Sequence, residues 1–265
     1  CALLMNVLQI PAQTDPYGRA LPDHTAYLNP EALRVKRIGV DLSYKNHLPA
    51  LVHLFEQRLN VMREAGAVIV ECSLFDTVRS RVGAKEWDVL LFEFQRDIAT
   101  YLRESGAPKT SLKELVEANT NDAEHCMPLF GQEIFEEALK VSDAEAAYRA
   151  ALETTLSVRG LFDDAFNASS LDAIVCVTAG PAWCIDAVNG DMSSSPSCSS
   201  PPAMAGFPHI TVPMGFIHDL PVGISFMSRA HTDAELLGMA YAFEQKTHAL
   251  RAPRGLVSVS DASLD

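Results

Sequence analysis

The segment from 34 to 83 constrains the fold of this chain most, because it carries a complete strand–helix–strand pattern. The segment RVKRIGVD at 34–41 has a short strand pattern, and AVIVEC at 67–72 reads as a second strand. Between them, apolar residues recur at three- and four-residue steps from Leu48 to Met62, which indicates an amphipathic helix. Two strands joined in this way run parallel with a right-handed crossover. We therefore predict a βαβ segment at 34–83.

The rest of the chain extends this pattern into an α/β protein. The sequence predicts a helical insertion at 84–166. Three capping boxes mark helix starts: Ser111–Glu114 opens a short helix, Ser142–Glu145 opens a long one that runs to about Phe166, and Thr232–Glu235 opens a helix near the end of the chain. A sheet and loop segment follows at 167–252. It contains the apolar run LDAIVCV at 171–177, typical of a strand buried on both faces, two strands at 209–213 and 222–227, and a helix after Thr232–Glu235. The tail at 253–265 carries no pattern. The fold class is α/β, with a mostly parallel or mixed sheet covered by helices.

Composition excludes several functions. The 34 acidic and 21 basic residues give a net charge of −13, which argues against nucleic-acid binding and against docking on an anionic membrane. No apolar run approaches the ~20 residues of a membrane span. Six cysteines without a CxxC pair are too few for a disulfide scaffold, and they favour a reducing, cytoplasmic location.

The segment 179–202, AGPAWCIDAVNGDMSSSPSCSSPP, is the strongest candidate for a binding site. It follows the apolar strand at 171–177, and ligands of open α/β sheets bind beyond the carboxyl ends of strands. A solvated serine-rich loop would explain the serines alone, but it would not need Trp183 and Ile185 beside Gly180. A calcium loop around Asp186 is the weaker alternative, because the spacing lacks the alternating ligands and the distal glutamate. We interpret the segment as a pocket wall.

No complete catalytic set emerges from the residues themselves. The chain has no GxSxG elbow, Walker loop, GxGxxG or HExxH motif, so neither a cofactor nor a metal is expected. The serines at 193–200 have no evident base beside them, and the lysines lie in hydrophilic contexts. His209, in FPHITVP, is expected in or near a strand with a local hydrogen bond.

Several blocks, taken in order, resemble the amidase-signature family. They are LDAIVCVTAGPAWCIDAVNGD, SPPAMAGFPHITVPMGFIHDLPVGISFM and AELLGMAYAFEQKTH, preceded by RVKRIGVD and AEHCMPLFGQEIFEEAL. The resemblance implies an α/β fold and hydrolysis of carboxamides. It also implies a serine nucleophile, a second serine and a lysine base, all in the family's N-terminal half. This chain lacks that Gly/Ser-rich signature, so we expect it to be incomplete at the N-terminal side, with no catalytic residues of its own.

The resemblance also assigns substrate-binding residues. The segment after GPAW is the one that approaches the acyl part of the substrate in the family. By that likeness the substrate-binding residues are Trp183, Cys184, Ile185, Asp186, Asn189, Phe130, Gln132 and Cys198. The role of Asp186 stays open between binding a substrate amine and capping a turn.

Three functions follow as hypotheses. The first is the C-terminal portion of an amidase, inactive alone, which supplies pocket wall and sheet core. The second is a non-catalytic homologue that binds a small molecule or a partner. The third, an amidotransferase subunit working with tRNA-bound substrate, is weakened by the net charge of −13. The expected partner is a small-molecule amide, in a homo-oligomer or paired with the missing N-terminal half.

Overall fold

The computed structural model describes residues 1–9, 20–141, 145–190 and 197–252, which form an α/β fold. The strands are β1 (Arg37–Asp41), β2 (Val68–Cys72), β3 (Ala173–Val177), β4 (His209–Ile217) and β5 (Leu220–Met227). The helices are α1 (Ala2–Gln9), α2 (Pro49–Glu64), α3 (Leu74–Val82), α4 (Lys85–Glu104), α5 (Leu112–Asn121), α6 (Ala123–Cys126), α7 (Glu133–Leu139), α8 (Glu145–Leu156), α9 (Val158–Ala168), α10 (Ser200–Ala205) and α11 (Asp233–Thr247). The predicted tail at 253–265 lies outside the described residues. Within the described ranges, every helix is too short or too polar to cross a membrane.

The predicted βαβ unit is confirmed. β1 and β2 pair in parallel from Arg37–Val68 to Asp41–Cys72, and α2 connects them. Pro49 occupies the first turn of α2, where its missing N–H costs no hydrogen bond. One face of α2 is buried against the sheet through Leu51, Phe55, Leu59 and Met62, as the spacing predicted.

The sheet is mixed, as expected, with the strand order β2-β1-β3-β5-β4. β3 is buried along its whole length; it pairs in parallel with β1 and antiparallel with β5. β4 and β5 form an antiparallel hairpin, interrupted by a register shift between Pro213 and Gly215. The central strand therefore separates a parallel half from an antiparallel half.

Helices cover both faces of this sheet. On one face, α2 and α11 pack on alternate strand residues such as Val40, Val175 and Ile224. On the other face, α3, α9 and α10 pack on Ile174, Cys176 and Met227. The inner strands β1, β3 and β5 are therefore mostly buried, whereas the edge strand β2 stays partly exposed.

The segment 84–166 is helical, as predicted, but it is divided differently. The expected continuous helix to Phe166 is two helices, α8 and α9, which break at Ser157; its start at Ser142 lies outside the described residues. At the break, the Ser157 hydroxyl donates to the carbonyl of Thr154 at 2.7 Å, and such side-chain bonds compete with helix continuation. Leu91, Leu112 and Ala138 form a separate small core here.

Two of the three predicted capping boxes can be examined. Ser111 Oγ accepts the N–H of Glu114 at 3.2 Å at the start of α5, so this cap is confirmed. The box at Thr232 is wrong, because the Thr232 hydroxyl donates to Ser228 Oγ at 2.8 Å and caps no N–H of α11. None of the helices α1, α3 and α10 is predicted from the sequence.

Candidate functional site

A row of polar side chains crosses the sheet near the carboxyl end of β3. Asp41 pairs with Cys72, Cys176 with Ser225, and Ser225 with Thr211. Val40 pairs with Val175, so Asp41 and Cys176 are the next residues on their strands. Residues in register share a face of the sheet. The five strands therefore present Cys72, Asp41, Cys176, Ser225 and Thr211 on one face, and we call this set the polar row.

Ser225 is the member of the polar row that lies on β5. It has no solvent exposure, and its Oγ lies 2.7 Å from His209 Nε2, 2.9 Å from Thr178 Oγ1 and 3.1 Å from Thr211 Oγ1. A serine–histidine contact of this length is the geometry of an activated nucleophile. Because Ser225 is fully buried in a central strand, its hydroxyl cannot reach a substrate. The hydrogen bonds of Ser225 to His209 and Thr211 connect β5 to β4, and its hydrogen bond to Thr178 connects β5 to the residue after β3.

On the other side of β3, the polar-row residue Asp41 joins β1 to α3. Its carboxylate accepts the N–H groups of Leu74 and Phe75 at 2.7 and 3.0 Å, and that of Ser43 at 3.0 Å. These N–H groups lie at the start of α3 and of a 3₁₀ turn, Leu42–Asn46, where they have no partner within their own element. One buried carboxylate therefore caps both elements.

Cys198 lies against this row, where the loop after β3 returns to the sheet. Its N–H donates to the carbonyl of Thr178 at 3.0 Å, and its side chain is buried in the same core cluster as Cys176. The hydrogen bond from Cys176 is the largest influence lowering the pKa of Cys198, with those from His209 and Ser225 adding to it against the effect of burial. Desolvation by burial raises the pKa of Cys176.

The described part of the predicted substrate loop presents apolar side chains outward. Trp183, Ile185 and Val188 are exposed, and Cys184 is exposed with a free thiol. Asp186 instead faces its own loop, because its carboxylate accepts the N–H groups of Val188 and Asn189 at 2.8 and 2.9 Å. Asn189 Nδ2 donates to the same carboxylate at 2.8 Å. The hydrogen bonds from Asn189 are the first cause of a lowered Asp186 pKa.

The other predicted substrate-binding segment, which contains Phe130 and Gln132, also combines an exposed side chain with one that is hydrogen-bonded within the protein. Phe130 is exposed, whereas the Gln132 amide donates to the carbonyl of Val116 at 3.1 Å and accepts from Asn119 at 3.1 Å. Gln132 therefore holds the segment before α7 against α5.

Groups of three or more metal-ligating side chains are absent from the part of the chain that the structure describes. A groove of about 210 Å³ lies between α3 and α10, lined by Ser197 and Ser200 on either side of Cys198 in sequence and by Phe75 and Arg79. His209 is on a strand, as predicted, but its partner Ser225 is 16 residues away.

These features define an α/β protein with a mixed sheet and a polar cluster at the carboxyl end of its central strand. The family model for amidases matches residues 1–237, and the chain therefore belongs to the amidase family.

Individual relatives agree with this assignment. The native peptide amidase from Stenotrophomonas maltophilia superposes with a TM-score of 0.78 and 36% identity, over 89% of this chain and 48% of that one. A glutamyl-tRNA(Gln) amidotransferase subunit from Moorella thermoacetica is 29% identical over 93% of this chain and 52% of its own length. A probable amidase of Arabidopsis thaliana is 27% identical over 86% of this chain and 41% of its own length. The chain thus spans about half the length of these relatives.

Proposed function

We propose that this chain forms the substrate-binding wall and part of the sheet of an amide hydrolase, which converts a carboxamide into a carboxylate and ammonia or an amine. The nucleophile and base are supplied by sequence outside these 265 residues. The observation that carries the proposal is the 36% identity, at a TM-score of 0.78, to a peptide amidase. The proposed substrate is accordingly the amide of a peptide.

The contacts in the two loops support distinct roles for the predicted residues. Trp183, Cys184, Ile185 and Phe130 offer exposed, mostly apolar surface, which suits the side chains of a peptide. Asp186, Asn189 and Gln132 have their polar atoms in hydrogen bonds within the protein, so we assign them to shaping the loops. Cys198 closes the loop against the carbonyl of Thr178.

An amidotransferase subunit is the less favoured function. The relative of that name is 29% identical, against 36% for the peptide amidase, and a net charge of −13 opposes contact with tRNA phosphates.

Tryptophan fluorescence tests binding, because the chain has two tryptophans and only Trp183 lies in the proposed wall. Trp87 lies on α4, where its Nε1 donates to Glu137 at 3.2 Å. We expect an acylated dipeptide amide to give a saturable change in Trp87→Phe, which keeps Trp183, and none in Trp183→Phe. A signal of equal size in both variants would contradict the assigned wall.

Ammonia release tests the chemistry. The purified chain should release no ammonia from the same dipeptide amide. Fusion to the part of the Stenotrophomonas maltophilia peptide amidase outside the aligned region should restore release. Trp183→Ala should lower this release by about tenfold or more, since truncating an aromatic side chain that the bound substrate covers costs ~2 kcal/mol. Binding without release in the fusion would favour the non-catalytic module instead. Release by the unfused chain would refute the external nucleophile.

A further inference from the structure

The residue after β3, Thr178, is hydrogen-bonded through all three of its polar groups. Its N–H donates to the carbonyl of Gly223 on β5 at 3.0 Å, and its carbonyl accepts the N–H of Cys198 at 3.0 Å. Its Oγ1 lies 2.9 Å from Ser225 Oγ. One residue therefore attaches the start of the loop to β5 and also holds the point where the loop returns to the sheet.

The hydroxyl that contacts Thr178 is itself held in a buried network. Ser225 has no solvent exposure, and its Oγ also lies 2.7 Å from His209 Nε2 and 3.1 Å from Thr211 Oγ1. Both of these partners lie on β4, so the Thr178 hydroxyl is connected through Ser225 to two strands. Buried polar groups that all have partners form a rigid network. The base of the loop therefore has a fixed attachment to the sheet.

β5 has no side chain at the point where Thr178 crosses it. Gly223 and Ser225 are two residues apart on β5 and share a face of the sheet. A Cβ at Gly223 would lie 2.9 Å from Thr178 Oγ1 and 2.6 Å from Thr211 Cγ2. The glycine therefore leaves the space in which the Thr178 hydroxyl reaches Ser225.

Trp183 lies between two fixed points of the loop. Thr178, five residues before it, is attached to the sheet, and Asp186, three residues after it, accepts the N–H groups of Val188 and Asn189. The short span between these points limits the positions that the indole can reach. A side chain that is already ordered loses less conformational entropy when a ligand binds.

We propose that Thr178 is a positioning residue for substrate binding, which fixes the base of the loop to the sheet and thereby holds the Trp183 indole in place before the substrate binds. This inference rests on the proposed function, in which Trp183 belongs to the binding wall. Thr178 itself contacts no substrate in this scheme. Its effect on affinity acts through the order of the loop.

Time-resolved fluorescence anisotropy of Trp183 tests this role without a substrate. The measurements use the full chain with Trp87→Phe, in which Trp183 is the one remaining tryptophan. Thr178→Val keeps the branched shape and removes the hydroxyl, so we expect the amplitude of the nanosecond motion of the indole to rise about twofold or more. Thr178→Ser keeps the hydroxyl and should restore the parent amplitude.

Two controls separate this effect from a general loss of stability. Thr155→Val makes the same chemical change at a buried hydroxyl on α8, which donates to a backbone carbonyl at 2.9 Å, and should leave the motion of Trp183 unchanged. In a chain with Trp183→Phe, Thr178→Val should leave the motion of Trp87 unchanged. Ser225→Ala removes the partner hydroxyl and should also raise the motion of Trp183, so it carries the test if Thr178→Val fails to fold.

The affinity for the acylated dipeptide amide tests the consequence for binding. Thr178→Val should raise the dissociation constant about two- to tenfold, the range expected when one further side chain must be ordered on binding, and Thr178→Ser should not. A parent chain that binds no dipeptide amide would refute the proposed function, while the motion of Trp183 would still decide whether Thr178 positions the indole.

Three results would overturn the positioning role. The first is unchanged motion of Trp183 in both Thr178→Val and Ser225→Ala. The second is an equal rise of that motion in Thr155→Val, which would assign the effect to stability. The third is an unchanged dissociation constant in a Thr178→Val chain whose indole has become more mobile.

Discussion

The carboxylate of Asp186 is held within its own loop, and this fixes how the residue titrates. The Asn189 side chain is the largest cause of its lowered pKa, and the N–H groups of Asn189 and Val188 add to it. A lowered folded-state pKa means that the ionised form is favoured by folding. Its contribution to stability is present above the unfolded pKa of about 3.9 and is lost as the pH falls through the folded value.

We predict that Asn189→Ala raises the pKa of Asp186 toward its ordinary value, because the Nδ2 donor at 2.8 Å is removed. The two backbone donors remain, so the pKa stays below that of an unfolded chain. The measurement is an NMR titration of the Asp186 carboxyl carbon. Val188→Ala keeps its backbone N–H and should leave the midpoint unchanged; a shift in this control, or none in Asn189→Ala, would contradict the assigned cause.

Residue-scale expectations from sequence identified the loop but not its contacts. The composition around Trp183 and Ile185 indicated a site beyond β3, and the structure places both side chains in an exposed loop there. The contact between His209 and Ser225 could not be predicted, because it forms through the pairing of β4 with β5, between residues 16 positions apart. The one available signal was a serine inside the apolar run of β5, which a fully buried strand does not contain without a partner.

At the scale of elements, α11 packs closely on the 3₁₀ turn His24–Tyr27 through Gly238. A Cβ at this position would lie 2.6 Å from the backbone carbonyl oxygen of Tyr27, which cannot rotate away. Gly160 of α9 is also helical, but a Cβ there meets nothing within 4 Å. Gly238 is therefore needed for the close contact between α11 and the turn, whereas Gly160 permits no contact and only lowers the helix propensity of α9.

Gly238→Ala should lower the free energy of unfolding by about 1–3 kcal/mol, as overpacking does in a close contact. Gly160→Ala should raise it by ~0.5–1 kcal/mol, because alanine restricts the unfolded chain and favours the helix. Urea unfolding followed by circular dichroism measures both. If Gly238→Ala raised the free energy of unfolding as much as Gly160→Ala does, the contact between α11 and the 3₁₀ turn would contribute nothing to stability.

The elements that sequence predicted best are those with strong periodicity. The unit β1-α2-β2 and the helix α4 have long apolar repeats bounded by glycine or charged residues, and their positions are confirmed. The helices α3 and α10 are short, and their stability comes from tertiary contacts. Asp41, which lies on β1, accepts two hydrogen bonds from the first residues of α3. The local sequence of α3 alone therefore does not specify this helix.

At the scale of the whole molecule, the described part of the chain leaves one helix with an apolar outer face. In α1, the side chains of Leu3, Leu4, Val7 and Leu8 are all more than half exposed. The two edge strands, β2 and β4, are less suited to pairing with another chain. β2 is short and carries Glu71, and β4 is interrupted by the register shift after Pro213. The exposed face of α1 is therefore the strongest candidate for burial against another polypeptide.

The energies favour association at this face. Each ~100 Å² of apolar surface removed from water contributes about 2.5 kcal/mol, and four large side chains on one helix exceed that area. The net charge of −13 opposes association, but it is spread over the molecule and screened within ~8 Å at physiological salt. The local apolar contact should outweigh the diffuse repulsion. We therefore expect the chain to form concentration-dependent oligomers and to bind an environment-sensitive dye.

The double variant Leu3→Glu with Val7→Glu should shift the chain toward monomer and lower dye binding, since it places two carboxylates in the apolar face of α1. Leu90→Glu with Tyr101→Glu adds the same charge at exposed positions on α4 and should leave the oligomers in place. Light scattering behind a sizing column measures both. Equal dissociation in the two variants would assign the effect to net charge, and a monodisperse parent chain without dye binding would show that the α1 face needs no partner.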